Sequence, residues 1–257
     1  MDDAKNLPPN KFKRHLAEGK VQIGLWLSLD SLFATEILAG SGFDWLLLDM
    51  EHTCIDLSQV VQHLRAAKGG TAEVVVRIPW NEPIVVKRLL DAGVRSLMVP
   101  YVQSAEEARR AVAATRYPPQ GIRGSAGNTR ASNFNRFAAY LEKYQEEQCL
   151  IAQIETPASI EAIEEIAKVD GVDGLFVGPN DLATNMGRPG EPGAADVRLA
   201  IADALARIRA TGKAAGVLNF NPGEARAHIA ANIGFIAVGS DASILARKSE
   251  ALLAEVR

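Results

Sequence analysis

Eight short apolar runs recur along the chain, each separated from the next by segments of a different period. They are QIGLWLS (22–28), FDWLLLD (43–49), EVVVRIP (73–79), RSLMVP (95–100), CLIAQIE (149–155), VDGLFVG (172–178), KAAGVLN (213–219) and FIAVGS (235–240). Within each run apolar residues follow one another instead of alternating with polar ones. The strand each predicts must therefore be covered on both faces, as in a parallel sheet. The segments between them, such as DLSQVVQHLRAAK, EPIVVKRLLDAG, SAEEARRAVAATR, ASIEAIEEIAKV, DVRLAIADALARIRATG and GEARAHIAANIG, are amphipathic at helical spacing. Several run out at glycine, the residue favoured just past a helix end. A repeated strand–helix order implies right-handed parallel crossovers, and eight of them in 257 residues match a (β/α)8 TIM barrel. The competing α/β reading, an open doubly wound sheet, begins with a glycine-rich dinucleotide loop, and no GxGxxG follows the first run.

No Ser/Gly-rich stretch or charge block interrupts the pattern, so residues 1–257 read as a single domain. Two segments stand outside it. NKFKRHLAEGK predicts a short N-terminal helix that plugs or flanks the end of the barrel opposite the second segment. The long interval between the fourth and fifth runs leaves an excursion over 117–148, whose Gly/Asn/Arg-rich first half predicts a long loop across one end. Twenty-eight Lys and Arg against 31 Asp and Glu give a net charge of −3, which offers no basic groove for nucleic acid. No run has the length or flanks of a signal peptide or a membrane span. Cys54 and Cys149 form no CxxC motif, and reduced thiols in a cytoplasmic protein are the expectation.

In this architecture the chemistry gathers at the C-terminal ends of the strands. The second run delivers Asp49, Glu51 and His52, the third Arg77, the fifth Gln153 and Glu155, and the sixth, through GPND, Pro179, Asn180 and Asp181. An apolar strand seldom ends in an unpartnered charge, because burying one is expensive. Glu155 and Asp181, on adjacent strands, suit a hard divalent cation such as Mg²⁺ or Mn²⁺. The alternative is that each acid caps a helix or pairs with an arginine. Gln153 shares a strand face with Glu155. The backbone amides of GPND open a helix and suit a carboxylate. His52, with Asp49 to orient it, is the candidate for proton transfer. His15, His63 and His228 are expected on helix surfaces. Arg77 would stabilise a developing oxyanion or, alternatively, pair with a rim acid. No lysine falls at the C-terminal end of an apolar run, so an imine mechanism has no candidate; GxSxG and HExxH are also missing.

The segments GLWLSLDSLFATEILAGSGFDWLLLDMEH, VVVRIPWNEPIVVKRLLDAG, RYPPQGIRGS, QIETPASI and GVDGLFVGPNDLATNMG resemble the HpcH/HpaI aldolases. They are most similar to the 4-hydroxy-2-oxoheptanedioate aldolase branch with its sugar-acid relatives. The resemblance implies a metal-dependent (class II) pyruvate aldolase that assembles as a homo-hexamer. It would cleave a 4-hydroxy-2-oxo acid, of the heptanedioate or 2-keto-3-deoxy sugar-acid type, to pyruvate and an aldehyde with Mg²⁺, Mn²⁺ or Co²⁺. Carried across, Glu155 and Asp181 match the metal ligands, and His52 with Asp49 the proton-transfer group. Arg77 matches the enolate-stabilising arginine, Gln153 a pocket residue, and Pro179 to Asp181 the carboxylate site. Met50, Thr53, Cys54, Asn180, the segment GIRGSAGNTRASNF and NFNP after GVL depart from the family pattern, and all are expected to border the aldehyde side. Other readings are a metal-dependent oxaloacetate decarboxylase, a non-catalytic sugar-acid binding protein, and a phosphate-binding barrel synthase using GSDAS at 239–243.

Overall fold

Val, Ile and Leu dominate the eight runs, and buried β-branched residues hold an extended backbone only when neighbours cover both sides. In the computed structural model, which describes residues 6–257, those runs become β1 (Gln22–Leu27), β2 (Trp45–Asp49), β3 (Glu73–Arg77), β4 (Ser96–Val99), β5 (Cys149–Ile154), β6 (Gly174–Val177), β7 (Ala214–Leu218) and β8 (Phe235–Ser240). All pair in parallel in sequence order, and β8 closes on β1, giving the (β/α)8 barrel. Most strands are a residue or more shorter than the apolar runs. In the third run the strand ends at Arg77, with one last bond from the Ile78 amide to the Met98 carbonyl, because the nitrogen of Pro79 has no hydrogen to donate to a ladder. ASIEAIEEIAKV forms two short helices, Pro157–Glu161 and Ile163–Ala167, broken at Ala162.

The end where strands begin is sealed by aromatic rings. The helix Lys11–Ala17, capped by the Asn10 side chain, inserts the fully buried Phe12 against Trp45 and Phe235 at centroid distances of 5.5 and 5.6 Å. Gly24 makes room for this layer: a Cβ there would come within 2.2 Å of the Trp45 ring. The expected plug is present, and it lies opposite the rim that carries the charged residues.

The excursion, expected at the other end, packs at that same N-terminal end within the chain because its contacts are with the α-helix ends and the plug helix there. Arg130 donates to the carbonyl of Ala92 at 2.7 Å, the Ala131 amide to that of Asp91 at 3.1 Å, and the Asn10 amide group to that of Glu147 at 3.0 Å. Arg123 is fully buried within the excursion, paired with Asp91 at 2.8 Å and stacked 4.6 Å from the Tyr117 ring. A cleft of about 640 Å³ separates the excursion from the barrel. Taken as one chain, residues 121–134 therefore stand away from the charged rim. His63 also departs from expectation. It lies on a helix, Leu57–Ala66, but is completely buried, 2.7 Å from Thr35 Oγ1 and 3.2 Å from Asp30. No helix among the described residues is long and apolar enough to cross a membrane.

Candidate active site

Asp49 and Arg77 are direct partners in the β2–β3 register, which fixes where their side chains meet. Arg77 Nε donates to Asp49 Oδ1 at 2.9 Å and Nη2 to Oδ2 at 2.6 Å, a two-point clamp between nearly buried groups. Burial pushes the Asp49 carboxyl up, but the Arg77 hydrogen bonds and charge outweigh it and hold the group below its ordinary range. The same Asp49 oxygen, Oδ1, accepts the amides of Glu51 and His52 at 3.0 and 3.4 Å, turning the chain sharply after β2. Beneath, the guanidinium lies 5.3 Å from the Trp26 ring centroid.

That turn delivers Glu51 into the site and leaves His52 at its edge. Glu51 Oε2 stands 2.9 Å from Arg77 Nη1, yet this buried oxygen has no aligned donor. Burial first, then the nearby Asp49 and Asp181 charges, raise its pKa to about 7 against the pull of Arg77. The His52 side chain is 60% exposed, and the acid nearest its ring is Glu51, 3.9 Å from Nε2. Asp49, expected to orient the imidazole, reaches His52 only through the backbone.

Glu155 follows β5 and is 1% exposed. Its Oε1 accepts the Tyr101 amide at 2.7 Å, and its Oε2 accepts from the Gln153 side chain. Burial, with the Asp181 and Glu51 charges, lifts Glu155 to about 7 despite these hydrogen bonds. Asp181 sits in the first turn of the helix Pro179–Asn185. Its electrostatic coupling to both glutamates brings it, Glu51 and Glu155 into one acidic cluster facing Arg77. Pro179 has no N–H, so the amides of Asn180 and Asp181 are the donors at this helix start.

Among the described residues no three His, Cys, Asp or Glu side chains are set for joint coordination. The cluster still suits a cation. Burial lifts two of its carboxyls, Glu51 and Glu155, to about 7, and Gln153 Oε1 and Glu51 Oε2 are buried without hydrogen-bond partners, so a cation would relieve both. Close approach shapes the cradle too: a Cβ on Gly178 would come within 2.8 Å of Glu155 Oε2. Sequence reasoning gave no role to Tyr101 or Asn185, and none to Gly178 beyond its place in GPND. The Asn185 amide group donates to the Tyr101 hydroxyl and to the carbonyls of Glu155 and Asp181 at 2.9, 3.2 and 2.9 Å. Its spacing of four from Asp181, on the same helix face, was the only signal.

Comparison with known proteins places these residues in context. The profile of the HpcH/HpaI aldolase/citrate lyase family matches residues 22–247. A pyruvate aldolase of Rhizobium etli is 48% identical, covering 96% of this chain and 98% of that one. A 4-hydroxy-2-oxo-heptane-1,7-dioate aldolase of Escherichia coli is 46% identical over 95% and 94%. The crystal structure of an HpcH/HpaI family protein from Burkholderia cenocepacia superposes with a TM-score of 0.93 at 40% identity, over 96% and 99% of the two chains.

Proposed function

The chain belongs to the HpcH/HpaI aldolase/citrate lyase family, and from that premise we propose a pyruvate aldolase of the metal-dependent class. It is a lyase that reversibly cleaves a 4-hydroxy-2-oxo acid to pyruvate and an aldehyde. The observation that carries the site assignment is the acidic cluster of buried Glu155 with half-buried Glu51 and Asp181 against a clamped arginine, at the rim where barrel enzymes work. Glu155 and Asp181 would hold a divalent ion, Mg²⁺, Mn²⁺ or Co²⁺, which supplies Lewis acidity toward the substrate's 2-oxo group.

The remaining chemistry is assigned to this chain's own side chains. Gln153 and the Tyr101 amide fix the two oxygens of Glu155. Arg77, locked by Asp49, keeps a charged donor face toward the site and offsets negative charge growing on the substrate's C2 oxygen. The Asn180 and Asp181 amides suit the substrate's carboxylate. His52, open to solvent with Glu51 beside it, takes the proton from the 4-hydroxyl as the C3–C4 bond breaks and returns it in condensation. Lys213 is no competitor for imine chemistry: it precedes β7 and its Nζ donates to the Val172 carbonyl at 2.6 Å, at the opposite end.

Chelation with EDTA should abolish cleavage, and Mg²⁺, Mn²⁺ or Co²⁺ should restore it. Trapping of a covalent pyruvate adduct by borohydride would refute the scheme. The same assay run on oxaloacetate separates carbon–carbon cleavage of a hydroxy acid from decarboxylation. A cytoplasmic homo-hexamer is part of the proposal. Its support is the open apolar surface on two helices, Leu32–Ala39 with Phe33 and Ile37, and Asp241–Glu255 with Leu245 and Leu252.

A further inference from the structure

Trp80 and Tyr101 stand at the same rim as the carboxylates, in the loops after β3 and β4, and the chemistry above uses neither ring. Their centroids are 5.8 Å apart with planes inclined by 33°, and Trp80 is 57% exposed. A large indole face left open beside a charged site is a surface that asks for an occupant. Tyr101 has φ of 54°, a left-handed backbone that a tyrosine keeps only where its surroundings impose it. Its amide donates to Glu155 Oε1, its hydroxyl accepts from Asn185, and its ring leans on Trp80. The aromatic pair is thus tied to the segments that carry Glu155 and Asp181, and its place relative to them is set.

Charge narrows what this wall can receive. The loop residues after β3 and β4, Ile78 to Glu82 and Pro100 to Ser104, include no lysine or arginine. The arginine of the site, Arg77, is clamped by Asp49 and lies beside Glu51, and the donor face it keeps is assigned to the C2 oxygen of pyruvate. An acceptor bearing its own carboxylate would meet acids and aromatic faces here, with no lysine or arginine in these two loops to match it.

We propose that Trp80 and Tyr101 form the acceptor-side wall of the site and select an uncharged aldehyde with a flat aromatic face, which stacks on Trp80. The inference rests on the aldolase reading and names the class of its second substrate. In condensation, pyruvate's methyl carbon loses a proton and bonds to the aldehyde carbon, whose oxygen takes up a proton. Nothing is oxidised or reduced.

The test is steady-state condensation of pyruvate with benzaldehyde, succinic semialdehyde and glycolaldehyde by the metal-loaded enzyme and by Trp80→Ala and Trp80→Phe, at a surface position whose replacement spares the fold. Benzaldehyde should be the preferred acceptor of the unaltered enzyme by about tenfold or more in kcat/KM over succinic semialdehyde. Trp80→Ala should raise KM for benzaldehyde about tenfold and that for glycolaldehyde by less than about twofold, with Trp80→Phe recovering most of the loss. A preference for succinic semialdehyde, or equal changes for all three aldehydes, overturns the wall. Deuterium exchange into the methyl group of pyruvate, which needs no acceptor, separates the two levels. Its failure in the unaltered enzyme overturns the aldolase reading and this inference with it. Exchange with an unmoved benzaldehyde KM overturns this inference alone.

Discussion

Asp49 commits both carboxylate oxygens to Arg77, so the pair behaves as one preorganised unit. A lysine cannot reproduce the planar fork. Arg77→Lys should therefore lower kcat about 100-fold or more while far-ultraviolet circular dichroism stays unchanged, measured by pyruvate release. Two histidines give a contrast of another kind. His52→Ala should cost about 10²-fold or more in turnover with little change in Tm. His63→Ala removes a buried ring bonded to Thr35 and Asp30 and should cost about 1–3 kcal/mol of stability with turnover retained at low temperature. Equal turnover losses would remove His52 from its role. Glu51 supplies a pH signature. With metal chelated, its pKa of about 7 lies above the ordinary 4.5. Between those values the folded chain holds a proton that the unfolded chain has lost. The associated stability is complete below pH 4.5 and is lost as pH rises through 7. Glu51→Gln should then lose about 1–2 kcal/mol less than the unaltered protein between pH 5 and 8 in EDTA, once solvent screening is allowed for. The lowered pKa of His228 acts in the opposite sense but is common to both proteins.

Elements explain why some site residues were legible in the sequence and others were not. Asp49, Arg77 and Glu155 could be read because each closes an apolar run or stands just past it, and a strand end projects its side chain to the rim. Pairing of Arg77 with a rim acid was legible only as an alternative, and which acid it takes could not be read, since register, not composition, set Asp49 opposite it. Nor could Tyr101, whose role follows from a left-handed turn that no neighbouring glycine announces. His63 was misplaced because helical period reports the face toward the barrel and is silent about the neighbouring helix. Gly178 gives this scale its own test. Its φ of −89° tolerates alanine, so Gly178→Ala should fold and yet press on Glu155 Oε2. Affinity for Mn²⁺, by calorimetry, should fall about tenfold or more, a loss of the size seen when a ligand's support is disturbed.

Across the whole molecule, the barrel was legible because eight strand–helix units in this length match its count and no glycine-rich loop follows the first run as a doubly wound sheet would have. The path of the excursion was not legible, as it depends on single contacts such as Arg123 with Asp91 and Arg130 with the Ala92 carbonyl. Surfaces between copies were equally hidden. If the open faces of Leu32–Ala39 and Asp241–Glu255 join subunits, Leu252→Glu should shift sedimentation to smaller species without unfolding the barrel. Phe12→Ala should lower global stability by about 3–5 kcal/mol while leaving the distant rim's kinetics intact below Tm.

The three tryptophans are spread along the barrel axis in graded contact with solvent: Trp45 sealed at the base, Trp26 under the Arg77 guanidinium, and Trp80 in the open. An optical readout is therefore built into the chain. Emission from the base reports whether the fold is intact, the middle indole senses charge arriving above it, and the outermost one answers to quenchers in the medium. Single-tryptophan variants would turn one protein into three independent gauges of depth.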